Sequence, residues 1–296
     1  MKNKLHFNPI TINDKPMFDR FLKKFLPAIS ELTFTNLFCW RMTKGHEYTV
    51  IDDHLLVAFF EKEKRKFYQP IGESSGPLIP KILDLFPDCS FERVEEKTAL
   101  ALGPDFLVKH DRDMYDYIYL RKELKLLEGT RYDAKRNFIR RCEKYNPQVC
   151  NLDESTVENF LKLEEEWCNI RNCHENESMY AEDLAVRETL KNFKTLQVLG
   201  ICVWINGRIE AFAIGEALNE TTFVEHFEKA NTKFDGLYAY VLHEFVKCIP
   251  EKFIFLNREQ DLGLEGLRKA KLSYHPHSFI KKYTLRCHDL ESAIKE

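Results

Sequence analysis

Gly200-Ile201-Cys202-Val203-Trp204-Ile205-Asn206-Gly207-Arg208-Ile209-Glu210-Ala211-Phe212 carries the strongest short-range structural signal in the chain. Two apolar, β-prone runs meet at Asn-Gly, the pair that best tolerates the positive φ angles of a type I′ turn, so a hairpin is expected here. Working outward, three strands are expected at 196–205, 208–218 and 222–229. They are followed by an amphipathic helix over 237–249, with Leu237, Val241, Phe245 and Ile249 at four-residue spacing, and by a strand over 253–257. Helices at about 154–171 and 182–193 precede the hairpin.

The first half repeats this order. Met17, Phe18, Phe21, Leu22, Phe25 and Leu26 give a helix over 13–26 that Pro27 stops, and a second short helix covers 34–41. Strands are expected at 47–51, 55–60 and 66–71, then a helix over 77–86 opened by Pro77, then strands at 106–108 and 115–120. Tyr115, Tyr117 and Tyr119 alternate onto one face of the last of these. The expected fold class is therefore mixed α/β (α+β), with two tandem domains, each a mostly antiparallel sheet flanked by helices. The division is 1–120, a basic helical linker over 121–146, and 147–296.

The composition suits a globular protein: 296 residues, 44% apolar, net charge −3. No apolar run is long enough for a membrane span and no secretory core is visible near the N-terminus, so a cytoplasmic location is expected. The nine cysteines are scattered without a CxxC, which fits a reducing compartment. Cys168, Cys173 and His174 are metal-ligating residue types, but their spacing departs from paired zinc motifs, and no metal is expected.

Charge is uneven along the chain. Residues 121–145 carry 9 Lys/Arg against 4 acids, a local +5 in an otherwise acidic protein. Thr130 and Asp133 are placed for a capping box, and Arg136, Arg140 and Lys144 follow at i, i+4, i+8. Like charges on one ridge disfavour a helix by roughly 0.2–0.5 kcal/mol per pair, so an anionic partner such as a phosphate backbone is one explanation; a solvated helix balanced by the acidic second half is the other.

A second polar concentration follows the last apolar strand: Asn257-Arg258-Glu259-Gln260-Asp261, then Gly263 and a short cationic helix bearing Arg268, Lys269 and Lys271. Such groups pair with one another or meet a polar ligand, because burying them alone is costly.

Meander, helix, strand resembles the order of the acyltransferase fold of the GCN5-related N-acetyltransferases (acyl-CoA N-acyltransferases), here in tandem. More specifically, the chain resembles the phosphatidylglycerol lysyltransferase C-terminal-domain family, related to the Fem aminoacyltransferases. The residues carrying the likeness are Asn36-Leu37 with Trp40-Arg41, Lys135-Arg136-Asn137, His226-Phe227-Glu228-Lys229-Ala230 with Gly236-Leu237-Tyr238, and Asn257 to Gly263 through Leu272-Ser273-Tyr274. The resemblance implies transfer of an aminoacyl group from charged tRNA, used as donor substrate with no separate cofactor, to an amine or hydroxyl acceptor on a small molecule, peptide or lipid headgroup.

For that chemistry Glu228, His226, Glu259 and Asp261 are the candidates for proton transfer. His226 and Glu228, two apart on a strand, are expected on one face. Asn257, Arg258, Arg268, Lys269, Lys271 and Tyr238 are the substrate-binding candidates, and Lys135, Arg136, Arg140 and Lys144 the tRNA-binding ones. An acyl-CoA-dependent N-acyltransferase is the alternative donor reading, and a non-catalytic binding module the alternative class. Acyl-CoA is the weaker choice because the turn before the helix at 237, Lys229 to Gly236, has one glycine, and Asp235 is expected to cap the helix where pyrophosphate would bind.

Overall fold

The computed structural model describes residues 5–102, 106–170 and 172–287. Along the first part of the chain lie β1 (Asn8–Pro9), α1 (Lys15–Phe25), α2 (Phe34–Cys39), α3 (Arg41–Lys44), β2 (Glu47–Ile51), β3 (His54–Glu61), β4 (Lys64–Tyr68), α4 (Leu78–Leu85), β5 (Ser90–Glu95), α5 (Glu96–Leu100), β6 (Phe106–His110) and β7 (Asp116–Leu120). Then come α6 (Arg121–Leu126), α7 (Asp133–Glu143), β8 (Gln148–Asn151), α8 (Val157–Ile170), α9 (Glu177–Lys191), α10 (Phe193–Leu196), β9 (Leu199–Ile205), β10 (Arg208–Ala217) and β11 (Thr222–Ala230). The chain closes with α11 (Leu237–Cys248), β12 (Phe255–Asn257), α12 (Glu265–Leu272), β13 (Ser278–Ile280) and β14 (Lys282–Cys287).

Among the described residues two seven-stranded sheets form, in the orders β1-β2-β3-β4-β5-β14-β6 and β13-β7-β12-β11-β10-β9-β8. Their plans match. In each, an antiparallel meander (β2-β3-β4; β9-β10-β11) leads through a helix (α4; α11) to a strand parallel to the last of the meander: Phe67 opposite Phe91, and Phe223 opposite Leu256. A strand from elsewhere in the chain then pairs antiparallel, β14 on β5 and β7 on β12. The mixed α/β class and the tandem plan are thus as expected. Asn206 and Gly207 take φ of 52° and 77°, the two positive values a type I′ turn requires.

The division at 120 and 146 does not hold. The chain forms two compact units: one from the residues up to Asp116 with Gln260–Glu265 and the chain from Phe279 onward, the other from Tyr117–Glu259 with Gly266–Ser278. The basic segment is part of the second unit, where Leu127, Tyr132 and Ile139 pack with Ala239 of α11. Local periodicity marks a strand but not the sheet it joins, so the destinations of β7 and β14 were not legible.

In the first unit, Leu56, Phe67, Ile79, Ile82, Phe91 and Leu285 form the apolar centre. Beside it lies a buried ionic cluster: Lys282 Nζ donates to Asp116 Oδ1 at 2.6 Å and to Glu31, and Arg93 Nε lies 3.2 Å from Glu31 Oε1. Burial acts to raise the Glu31 pKa, but Lys282 and Arg93 outweigh it and bring it down to about 2.

Two local expectations fail. Thr130 opens a 3-10 turn, α7 has no side-chain cap, and Asp133 pairs with Arg136. Asp235 does not cap α11, whose N-cap is Gly236; its carboxylate lies 3.2 Å from Arg141.

Candidate active site

The candidate site lies in the second unit, on β11, β12, α7 and the segment after α12. Its form depends on an irregularity in β11. Ile214 pairs with Phe227 and Gly215 with Glu225, so His226 is an extra residue opposite no partner, a β-bulge. The strands approach so closely here that a Cβ on Gly215 would lie 2.1 Å from the Val224 carbonyl oxygen, which is why glycine occupies the position. The bulge also breaks period-2 parity. Glu225 and Glu228, three apart, meet the same guanidinium, whereas His226 takes other partners. His226 and Glu228, expected on one face, therefore have separate partners.

That guanidinium is Arg258, just past the end of β12 and only 9% exposed. Its Nε donates to Glu225 Oε2 at 2.5 Å and a terminal nitrogen donates to Glu228 Oε2 at 2.8 Å. The rings of Tyr274 and Tyr119 lie 5.4 and 5.9 Å away, within cation–π range. The Arg258 backbone is also fixed. Its N–H donates to Tyr117 O at 2.9 Å and its carbonyl accepts from Lys271 Nζ, while Tyr119 Oη donates to Lys271 O at 2.7 Å. Tyr117 and Tyr119 are fully buried and serve this packing, not an exposed stacking face.

Lys135 reaches the same cluster from the first turn of α7. Its ammonium sits 3.7 Å from the centroid of Tyr274 and donates to Ser273 Oγ at 2.6 Å. Desolvation, followed by the field of Arg258, brings its pKa down to about 8. Burial, followed by the proximity of Glu225, lifts Glu228 to about 8 against the pull of Arg258. An acid and an amine with matched proton affinities near neutral pH thus belong to one electrostatic cluster, a property useful for proton transfer.

His226 is held differently. Its Nε2 lies 2.9 Å from Glu216 Oε1 and its Nδ1 2.8 Å from Glu259 Oε1. Burial alone would depress its pKa, but the two carboxylates hold it up to about 9. Both ring nitrogens donate and the ring stays charged, so it cannot accept a proton at neutral pH and instead fixes Glu259. Because the folded-state value exceeds the ordinary 6.5, the folded protein keeps a proton that the unfolded chain releases. The stabilisation is complete below pH 6.5 and is lost as pH rises through 9. Unfolding free energies measured between pH 6 and 9 are expected to fall more steeply for the wild type than for His226→Gln, by up to about 3 kcal/mol; equal slopes would contradict the charged state.

The other expected site residues are dispersed. Asn257 is buried, and its Oδ1 accepts the Glu259 N–H at 2.8 Å, shaping the turn in which Glu259 has φ of 53°. Asp261 belongs to the first unit, where Arg112 lies 3.3 Å from its Oδ2 and the Gly263 N–H donates to its Oδ1 at 2.9 Å. There it orders a loop. Arg268 is half-buried and Lys269 exposed on α12, and Tyr238 is 39% exposed on α11. On α7, Arg136 donates to the carbonyls of Leu127 and Gly129 and pairs with Asp133, closing the end of α6. Arg140 donates to Asn137 Oδ1 at 2.5 Å, and both it and Lys144 are exposed. The ridge therefore splits: Lys135 serves the cluster, Arg136 the fold, and Arg140 and Lys144 the surface. The reading from sequence missed Glu225 as a partner of Arg258, although the carboxylates of 225 and 228 flanking His226 were visible.

The N-terminal turn of α11 lies close against α7. A Cβ on Gly236 would lie 1.9 Å from the Phe138 carbonyl oxygen, so α7 sits against the turn. Tyr145 and Phe234 stack edge-on beside it at 5.1 Å.

A family profile described as "Phosphatidylglycerol lysyltransferase, C-terminal" matches residues 23–286. A conserved protein of unknown function from Bacteroides thetaiotaomicron is 34% identical, with 96% of this chain and 100% of that chain covered and a TM-score of 0.89. L-PGS from Bacillus licheniformis is 13% identical, with 99% and 98% covered and a TM-score of 0.65; FemX is 12% identical, with 99% and 100% covered and a TM-score of 0.57. These last two show the fold. An uncharacterised protein of Mycoplasmoides gallisepticum is 26% identical over 180 residues, which span 58% of this chain and 56% of that protein, so the match takes in little more than half of the relative. Among the described residues no helix is long and apolar enough to cross a membrane. By the extent of the profile match, the chain belongs to the phosphatidylglycerol lysyltransferase C-terminal-domain family, on a tandem acyltransferase fold.

Proposed function

We propose that the protein transfers an aminoacyl group from aminoacyl-tRNA to an amine or hydroxyl acceptor in a cytoplasmic setting. The observation that carries the reading is the buried Glu225–Arg258–Glu228 cluster with Lys135 at its edge. An aminoacyl ester is already activated, so the reaction needs orientation, a proton acceptor for the attacking nucleophile and a proton donor for the departing ribose oxygen. Neutral Lys135 takes the proton from the acceptor as its nitrogen or oxygen bonds to the ester carbonyl carbon. Protonated Glu228 supplies one to the ribose hydroxyl as the ester C–O bond breaks. Arg258 holds Glu228 in place, and Glu225 keeps its proton affinity high. No covalent enzyme intermediate is required.

The approach of the Phe138 carbonyl to Gly236 supports an aminoacyl-tRNA donor over acyl-CoA, since a pyrophosphate at that helix end would need space beside the turn that the α7 backbone takes up. Arg140 and Lys144, exposed at the far end of α7, are the phosphate-contact candidates that remain. Filter binding of bulk aminoacylated tRNA at several salt concentrations tests this. We expect saturable binding that falls steeply with salt, and a log–log slope shallower by about 0.9 for each of Arg140→Ala and Lys144→Ala. Acetyl-CoA binding without tRNA affinity would transfer the reading to an acyl-CoA-dependent N-acyltransferase, and binding of neither would leave a non-catalytic module.

A further inference from the structure

Away from that cluster, the second unit brings three metal-ligating side chains together. Cys168 lies in the last turn of α8, and Cys173 and His174 open the 3-10 turn Cys173–Glu175 before α9. Their ligand atoms all lie within 4.8 Å of one another, with Cys168 Sγ 3.6 Å from His174 Nε2. In a tetrahedral zinc site with Zn–S near 2.3 Å and Zn–N near 2.0 Å, neighbouring ligand atoms stand about 3.5 Å apart, so this edge is already at zinc spacing. The thiols are buried while His174 is exposed, so ligands would close on an ion from the interior and from the solvent side.

A second observation is independent of the cysteines. Glu164, one turn before Cys168 on the same helix, is 1% exposed. Its Oε1 accepts from Lys229 Nζ, but its Oε2 is buried with no donor among the described residues. Glu164, Cys168, Cys173 and Lys229 line one small cavity. A buried carboxylate oxygen without a partner is costly. A cation on Oε2 would remove that cost.

We propose that, with both thiols reduced, Cys168, Cys173, His174 and Glu164 bind one Zn2+ and clasp the end of α8 to the start of α9. The charges balance: two thiolates and one carboxylate give −3 against +2 for zinc, and Lys229 supplies the remaining +1 while orienting Glu164 through its other oxygen. Binding releases one proton from each thiol. The disulfide that joins Cys168 and Cys173 in the structure is the alternative state of the same sulfurs. A phosphine reductant and one water open it: the phosphine gives two electrons and takes the water oxygen to become its oxide, and each sulfur gains one electron and one of the water protons.

The full chain, reduced with a phosphine, stripped with a chelator and titrated with Co2+ and then Zn2+, tests the site. The expected result is one ion per chain, with thiolate-to-cobalt charge-transfer bands and the intense visible bands of tetrahedral Co2+, displaced by one equivalent of Zn2+. Cys168→Ser should abolish the charge-transfer bands. Glu164→Gln should weaken zinc by about tenfold or more, and Cys150→Ser, at an exposed cysteine elsewhere, should change nothing. Should Cys168→Ser fail to fold, chelation of the reduced wild type must still lower its melting temperature. No cobalt spectrum in the reduced wild type, an octahedral spectrum, or a spectrum unchanged by Cys168→Ser would overturn the proposal.

Discussion

Replacing Arg258 with Met is expected to destabilise the second unit by about 3–5 kcal/mol and to abolish transfer. The loss comes mainly from Glu225 and Glu228, which would remain buried with no cation between them, and much less from the two hydrogen bonds themselves. A sharper outcome is expected for the triple variant Arg258→Met with Glu225→Gln and Glu228→Gln. With every member neutral, most of the lost stability should return, as it does when a buried ion pair is exchanged for uncharged groups of similar size. Activity should not. Urea denaturation midpoints separate the variants; a triple variant as unstable as the single one would mean that Arg258 acts through packing on Tyr119 and Tyr274.

Gly236→Ala should be nearly as damaging, for a different reason. The residue has φ of 85°, and its added methyl would meet the Phe138 carbonyl at 1.9 Å, which is backbone and cannot swing aside. Gly207→Ala is the control, since Gly207 also has positive φ but has open space around it. There only the left-handed strain of about 1–2 kcal/mol applies. At Gly236 the same strain adds to displacement of α7 from α11, so a loss of more than about 3 kcal/mol is expected, together with faster proteolysis within residues 133–143 and weaker tRNA binding. Equal costs at the two glycines would show that α7 yields freely, and its approach to the helix end would cease to argue against acyl-CoA.

The fold was largely legible because its signals are local. The Asn206-Gly207 turn, the four-residue spacing in α11 and the proline that opens α4 each act over a few residues. What depended on distant parts of the chain was not legible: β14 enters the sheet of the first half, and β7 that of the second. The site shows the same divide. Arg258 stood out in the polar run after an apolar strand and Glu228 on a strand, but the bulge at His226 cannot be seen in an alternation count. The +5 segment read as a uniform ridge because charge counting ignores backbone acceptors; Arg136 is used on the carbonyls of Leu127 and Gly129. The spacing of Cys168, Cys173 and His174 did not show that the end of α8 and the following turn bring their ligand atoms within 4.8 Å of one another.

The most direct test is a single-turnover assay in which the protein is mixed with tRNA charged with a pool of labelled amino acids, with a small-molecule and lipid extract supplying acceptors. Label should move from tRNA to an acceptor fraction with wild type. Glu228→Gln, which keeps a neutral group beside Glu225, should bind tRNA as well but transfer about 10²–10⁴-fold more slowly. Label that stays on tRNA with the wild type, or moves equally fast with Glu228→Gln, would contradict the account.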